Sequence, residues 1–396
     1  MQTAVPSIRV ALAFAFSAVL ATFAPAASAA PYLPDSDDAV LERLPEKGDP
    51  ALAELKRMRA TLRAQPRDLE TAVAVARRAL DAGRTLGDPR FFGEAQAALA
   101  PWWKADDVPP AAMLLRATLK QSQHDFKGSL ADLDRLVVLH PELPQARLTR
   151  ATVLSVVGSY EAALRDCDSL VRHVASVVVV GCQATPASLA GNARTAYEGL
   201  VQALYYPSRN ADVREWASTL AGEIAARLGD FVAAERHFLN ALALDPRDAY
   251  LKGAYADLLL DLDRPREILK LIADDTRNDV LLLRLVLAEQ RLPDQRGVFD
   301  AHRDELAARF DAARRRGDSM HRREESRFRL GIQNDPKGAL QLARDNWAVQ
   351  REPADLRVLI EAARAAGDAD AEKIATDWAN AHNLQSFVAT TRGTTR

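Results

Sequence analysis

The 396-residue chain is poor in several things at once. Aromatic residues make up only 6% and there are two cysteines, Cys167 and Cys182. Two cysteines cannot staple a small disulfide scaffold, and their spacing rules out a CxxC redox pair. The formal charge of −2 leaves no basic excess for a phosphate backbone, so nucleic acid is not expected as a partner. Beyond the first 30 residues no apolar run is long enough to span a bilayer, so no membrane span is expected in the mature chain. Enzyme signatures are also missing. There is no Gly-x-Ser-x-Gly, no His-Glu-x-x-His, no phosphate-binding glycine loop and no dinucleotide fingerprint. The seven histidines (124, 140, 173, 237, 302, 321 and 382) are scattered. His321 and Glu324 come nearest to a ligand pair, and one i, i+3 pair is too few for a metal. No enzyme activity, cofactor or metal is expected.

At the start of the chain, Arg9 precedes the uncharged run VALAFAFSAVLATFA. Ala27-Ser28-Ala29 or Ser28-Ala29-Ala30 then offers a small-residue cleavage site. A basic start, an apolar core and small residues at the end make residues 1–30 a secretory signal peptide. The other reading is an uncleaved anchor, but the run is short and ends at Pro25. The mature chain is therefore expected to be periplasmic or secreted. No cysteine stands at the cleavage region, which argues against lipoprotein processing.

The rest of the chain is periodic. In 215–246, EWASTLAGEIAARLGDFVAAERHFLNALALDP, Trp216, Leu220, Ile224 and Leu228 recur every four residues. Gly229-Asp230 breaks the pattern. Phe231, Ala234, Phe238 and Ala241 then form a second stripe, which ends at Pro246. Gly222 and Ala234 are small enough to let two backbones approach. This stretch resembles one tetratricopeptide (TPR) unit. A single unit cannot bury its own apolar face, so the resemblance implies an array, an all-α, right-handed superhelical solenoid of helical hairpins.

The same rhythm divides the chain. Residues 31–65 form a lead-in and a capping helix, with Leu52, Leu55, Met58 and Leu62 on one face. A TPR-like array covers 66–381, and its clearest units are 110–143, 144–176, 177–210 and 215–248. Their turns fall at His124-Asp125-Phe126, Gly158-Ser159-Tyr160, Gly191 and Gly229-Asp230. In the first unit a helix over 68–82 is followed by a long turn, GRTLGDPR, then a second helix from Phe91 to Ala100. Pro101-Trp102-Trp103 either seals the first hairpin onto the next or forms an aromatic binding patch. After 260 only the helix–turn–helix rhythm survives, with a degenerate turn at Asp263-Arg264-Pro265 and further turns at Asn334-Asp335-Pro336 and Gly367-Asp368. Residues 382–396 read as a flexible tail. The arginines at 303, 309, 314–316, 322, 323, 327 and 329 are interleaved with acids and read as a solvated face. Arg316-Gly317-Asp318-Ser319 is similar to an adhesion tetrapeptide, but it falls where an inter-helix turn is expected.

TPR arrays hold peptides along the concave face built by the first helix of each unit. The resemblance places Leu114, Thr118, Gln121, Ser122, Leu148, Thr152, Ser155, Thr185, Ser188, Trp216, Thr219, Glu223, Arg227, Tyr250 and Asp257 there. That lining is neutral and rich in hydroxyls, and Trp216 fits a core position equally well. Glu223 and Arg227, facing the groove, should be replaceable with little loss of stability. Cys167 and Cys182 fall on neighbouring antiparallel helices, as a disulfide or as two small buried hydrophobes. The expected function is an exported scaffold that binds a protein or peptide. Alternatives are a subunit of an envelope assembly for secretion or polysaccharide export, and a carboxylate-based glycan-acting enzyme.

Overall fold

A computed structural model describes residues 50–206 and 208–384. The expected signal peptide, most of the expected lead-in and the residues beyond Leu384 lie outside the described residues. Among the described residues there are helices and no strands. A capping helix, α1 (Pro50–Ala64), precedes a row of antiparallel hairpins. The first helices of these hairpins are α2 (Leu69–Leu86), α5 (Pro110–Ser122), α7 (Pro144–Val156), α9 (Ser176–Ala187), α11 (Ala211–Arg227), α13 (Ala249–Asp261), α15 (Asp279–Glu289), α17 (Arg322–Gly331) and α19 (Pro353–Ala366). Their partners are α3 (Arg90–Ala98), α6 (Phe126–Leu139), α8 (Tyr160–Asp168), α10 (Ala193–Leu204), α12 (Phe231–Leu242), α14 (Pro265–Ile272), α16 (Arg296–Arg315), α18 (Pro336–Trp347) and α20 (Ala369–Ala381). A single turn, α4 (Ala100–Trp103), follows α3. The fold is an all-α solenoid of TPR-type hairpins.

One local device makes four of the nine hairpin turns described. A residue in the left-handed region ends the first helix, and the next side chain caps the second. Gly229 (φ +79°) precedes Asp230, whose carboxylate accepts from the Ala233 N–H. The backbone N–H of Asp230 meanwhile bonds the Ala225 carbonyl, satisfying a helix-end acceptor. The turns at His124-Asp125 and Asn334-Asp335 do the same without glycine, at φ +60° and +53°. Asp263 also takes φ +53°, and Pro265 then opens α14. Each aspartate cap is worth about 1 kcal/mol.

Helices meet where glycine lets an aromatic ring approach. A Cβ at Gly222 would lie 2.7 Å from the Phe238 ring. At Gly83 it would lie 2.6 Å from Phe92, and at Gly181 2.5 Å from Trp216. This corrects the first unit. Gly83 is a packing glycine inside α2, which runs on to Leu86, so the turn shrinks to Gly87, Asp88 and Pro89. Trp102 and Trp103 pack on the first core, and their carbonyls accept from Arg116, which seals one hairpin to the next.

Successive turns of the superhelix touch. The Arg351 N–H donates to the Val156 carbonyl at 2.7 Å, and the Tyr160 hydroxyl to the Arg351 carbonyl at 3.4 Å. The buried Tyr160 ring meets Trp378 and His382 edge-on. Gly191 faces Asn383, and Gly87 faces Asn278. The hairpin turns of early units thus lie on the loops between later units. His382 to Leu384 belong to this packing rather than to a free tail, and Leu384 is buried in the last core.

Candidate functional site

The first helices α13, α17 and α19 carry side chains that meet across the superhelix, Asp257 with Arg327 and Asp261 with Arg357, and the space they face is its lumen. Tyr250, at the start of α13, shows its character. The residue is 59% exposed, yet its hydroxyl is raised well above the usual tyrosine range, first by the Glu223 charge and then by burial. The ring stands open to water while its hydroxyl is held against the Glu223 carboxylate.

Five of the expected groove residues stand in this region. The Tyr250 hydroxyl donates to Glu223 Oε1 at 2.5 Å. Burial raises the Glu223 carboxyl, against the Tyr250 hydrogen bond and the Arg227 charge. Arg227 donates through Nη2 to Ser188 Oγ at 2.8 Å, and its Nε has no hydrogen-bond partner. Asp257, on the next turns of α13, accepts from Arg284 at 2.6 Å and Arg327 at 2.9 Å. Burial would raise Asp257, but the two guanidinium charges outweigh it and hold the carboxyl well below its ordinary value.

Most of the expected hydroxyls are satisfied within their own helices. Thr118, Thr152, Ser155 and Ser188 each bond a carbonyl of their own helix three or four residues back, as does Ser122 to Thr118. Thr219 bonds the carbonyl and the side chain of Glu215. Helical Ser and Thr satisfy themselves in this way. Ser155, Ser188 and Thr219 are buried, Thr185 and Gln121 half-buried. Trp216 packs over Gly181 in the core between α9 and α11.

What lines the lumen instead is charge, including residues read from the sequence as a solvated face. Arg323 on α17 bonds Glu352 at 2.9 Å and Asp355 at 3.3 Å. Arg357 on α19 makes a two-pronged bond to Asp261 at 2.6 and 2.7 Å, across 96 residues. Arg323 pulls Glu324 down to about 2 against the effect of burial. Arg315 does keep to the surface, paired with Asp311, while Arg314 also bonds the buried Glu325. A signal was present: Asp257 and Asp261, and Arg323 and Arg327, are like charges four apart on single helix faces. Such pairs repel unless something opposite neutralises them. Glu223 and Arg227 are likewise held within the chain, so they are not free to be replaced without cost.

Cys167 on α8 and Cys182 on α9 form a disulfide, with Cα atoms 5.6 Å apart. Among the described residues no group of three or more His, Cys, Asp or Glu could hold a metal. No helix among them is long and apolar enough to cross a membrane.

No family model matches the chain, and no curated protein matches it. Among solved structures, it is similar to a tetratricopeptide repeat protein from Parabacteroides merdae, at 13% identity over 72% of this chain and 98% of that one, with a TM-score of 0.34. It is similar to PilW, a widely conserved type IV pilus biogenesis factor, at 20% identity over 54% of this chain and 98% of that one, TM-score 0.31. A third is the human IFIT1 dimer with m7Gppp-AAAA, at 12% identity over 86% of each chain, TM-score 0.40. The hairpins themselves make this a TPR-type protein: paired helices, capped left-handed turns and small residues where helices cross.

Proposed function

We propose that the chain is an exported scaffold, periplasmic or secreted, that holds a protein or peptide segment in its lumen. Arg227 carries this reading. It is a lumenal guanidinium with one hydrogen bond to a hydroxyl and an Nε that meets no acceptor. The side chain is only half-buried, so its charged end can donate to a carbonyl or carboxylate that arrives there. Tyr250 beside it offers an exposed ring for the aliphatic part of the same segment. Nucleic acid is the poorer fit, because Arg284, Arg323, Arg327 and Arg357 already meet carboxylates. Export is supported by the signal-like start and by the disulfide, which oxidising compartments favour.

The test is a photocrosslinking residue at position 250, with one at the outward Ile374 as control. A discrete protein adduct at 250, absent at 374 and lost in Arg227→Ala, is expected. Nuclease-sensitive adducts, or none at 250, would defeat the reading. Fractionation of the same cells checks export.

A further inference from the structure

A cavity away from the lumen carries an unbalanced charge. It has a volume of about 260 Å³ and opens between α1 and α3, which both pack on α2. No helix that bears the lumenal residues lines it. Leu55 is buried in the first core and Phe91 packs on that core, and with Leu52 they give the cavity its apolar part. The rest is charge. Lys56, Arg59 and Arg63 recur at steps of three and four residues on one face of α1, and Glu94 stands opposite on α3. Like charges at that spacing repel unless a counter-charge faces them. Arg59 has one, since its Nη1 donates to Glu94 Oε1 at 2.6 Å. Lys56 and Arg63 have none among the described residues, and both are exposed. Three cations thus share one carboxylate, and the shortfall lies at the two ends of the row.

We propose that this cavity is a docking site for an acidic peptide segment, which lays an aliphatic side chain against Leu52, Leu55 and Phe91 and brings a carboxylate to each end. The spacing calls for two carboxylates. Lys56 and Arg63 stand seven residues apart, about 10 Å along the α1 axis, with the neutralised Arg59 between them. One carboxylate or phosphate answers one of them. An extended chain advances about 3.3 Å per residue, so an acid about three residues further on answers the other. The size points the same way. The volume falls just under the ~300–1,000 Å³ of pockets that enclose a whole small ligand, so the site holds a stretch of a longer chain. The lysine and arginine stems add apolar cover while their heads meet the carboxylates. A basic segment is turned away, because it would set like charges against Lys56 and Arg63. The site shares no residue with the lumen, so it stands or falls apart from the lumenal reading.

The probe is the blocked pentapeptide acetyl-Asp-Asp-Leu-Asp-Asp-amide, titrated calorimetrically into the purified chain over roughly 10 μM to 1 mM. Saturable binding is expected, weakening as salt rises from about 0.05 to 0.5 M. The same peptide with lysine for aspartate should not bind. Lys56→Glu and Arg63→Glu should each weaken binding by about tenfold, with unchanged melting, because both side chains are exposed and unpaired. Arg227→Ala should leave it as it is. Absence of saturable binding, or binding that survives both charge reversals, would overturn the proposal. Binding lost in Arg227→Ala instead would assign the peptide to the lumen. Octanoate bound as tightly as the pentapeptide would show that one carboxylate on a chain suffices, and capture by phosphatidylglycerol vesicles without peptide binding would assign the cations to a membrane. Either result would overturn the peptide site too.

Discussion

The hydroxyl of Tyr250 donates to the Glu223 carboxylate at 2.5 Å, joining the first turn of α13 to the last turns of the neighbouring α11. That bond works against burial, which raises Glu223. A carboxyl raised in the folded state holds its proton longer than in the unfolded chain. Its contribution to stability is full below the unfolded value and falls as pH rises through the folded one.

Tyr250→Phe removes the donor and leaves the charged form of Glu223 worse off. Stability should be unchanged in acid, where Glu223 is protonated, and lower by about 1 kcal/mol at alkaline pH. Urea titrations at several pH values would show this as a steeper fall with pH than in wild type. Parallel curves would mean that the bond does not favour the charged form.

Glu215 has the same sign. Burial pushes its carboxyl up to about 7, helped by Asp248, Asp245 and Asp212 and opposed by the Thr219 hydroxyl. The stability it contributes is present below the ordinary value of 4.5 and is lost as pH rises to about 7. Glu215→Gln keeps an acceptor for Thr219 and removes the charge. The variant should match wild type near pH 4 and exceed it by about 1–2 kcal/mol at pH 8. Thermal melts at the two pH values decide it.

The Cys167–Cys182 bridge closes a loop of 15 residues between α8 and α9. Constraining the unfolded chain by a loop of that length is worth about 3 kcal/mol. Reduction, or Cys167→Ser with Cys182→Ser, should lower the melting temperature by that equivalent. Thiol labelling of the native protein under denaturing, non-reducing conditions should find no free thiol. Two free thiols would mean that the chain matures in a reducing compartment, which would also count against export.

The hairpins are legible because their signals are local. A stripe every three or four residues, a turn residue and a cap all fall within one unit. The turn at Asp263-Arg264-Pro265 looks degenerate only where glycine is taken as the mark of a turn. Asp263 and Asn334 accept the left-handed conformation, and Asp335 caps as Asp230 does. Gly83 misleads for the opposite reason, since a glycine that admits the Phe92 ring has the same letter as one that ends a helix. The lumen is half legible. Glu223, Arg227, Tyr250 and Asp257 fall out of the hairpin register, but their partners do not. Asp261 meets Arg357, and Tyr160 meets Trp378, only because the superhelix completes a turn. That pitch depends on small rotations summed over many hairpins, and no single unit encodes it.

The crossing of α11 and α12 offers the most direct test of the array. Phe238 is among the largest fully buried side chains, and its ring lies over Gly222. Gly222→Leu has to displace that ring or part the helices, so overpacking should cost about 1–3 kcal/mol. Phe238→Ala leaves a cavity in the same crossing and should cost about 3–5 kcal/mol. The two are coupled through one space. Gly222→Ala alone should destabilise, because its Cβ would stand 2.7 Å from the ring, while Gly222→Ala with Phe238→Leu should cost less than the sum of the two single changes. Hydrogen exchange should show the loss centred on the hairpin of α11 and α12. It should spread to α9, α10 and α13, which share its packing, before reaching α2 or α20. Strict additivity in the double variant, or exchange that rises evenly along the whole chain, would show that Gly222 and Phe238 do not share the crossing that the hairpin geometry assigns them.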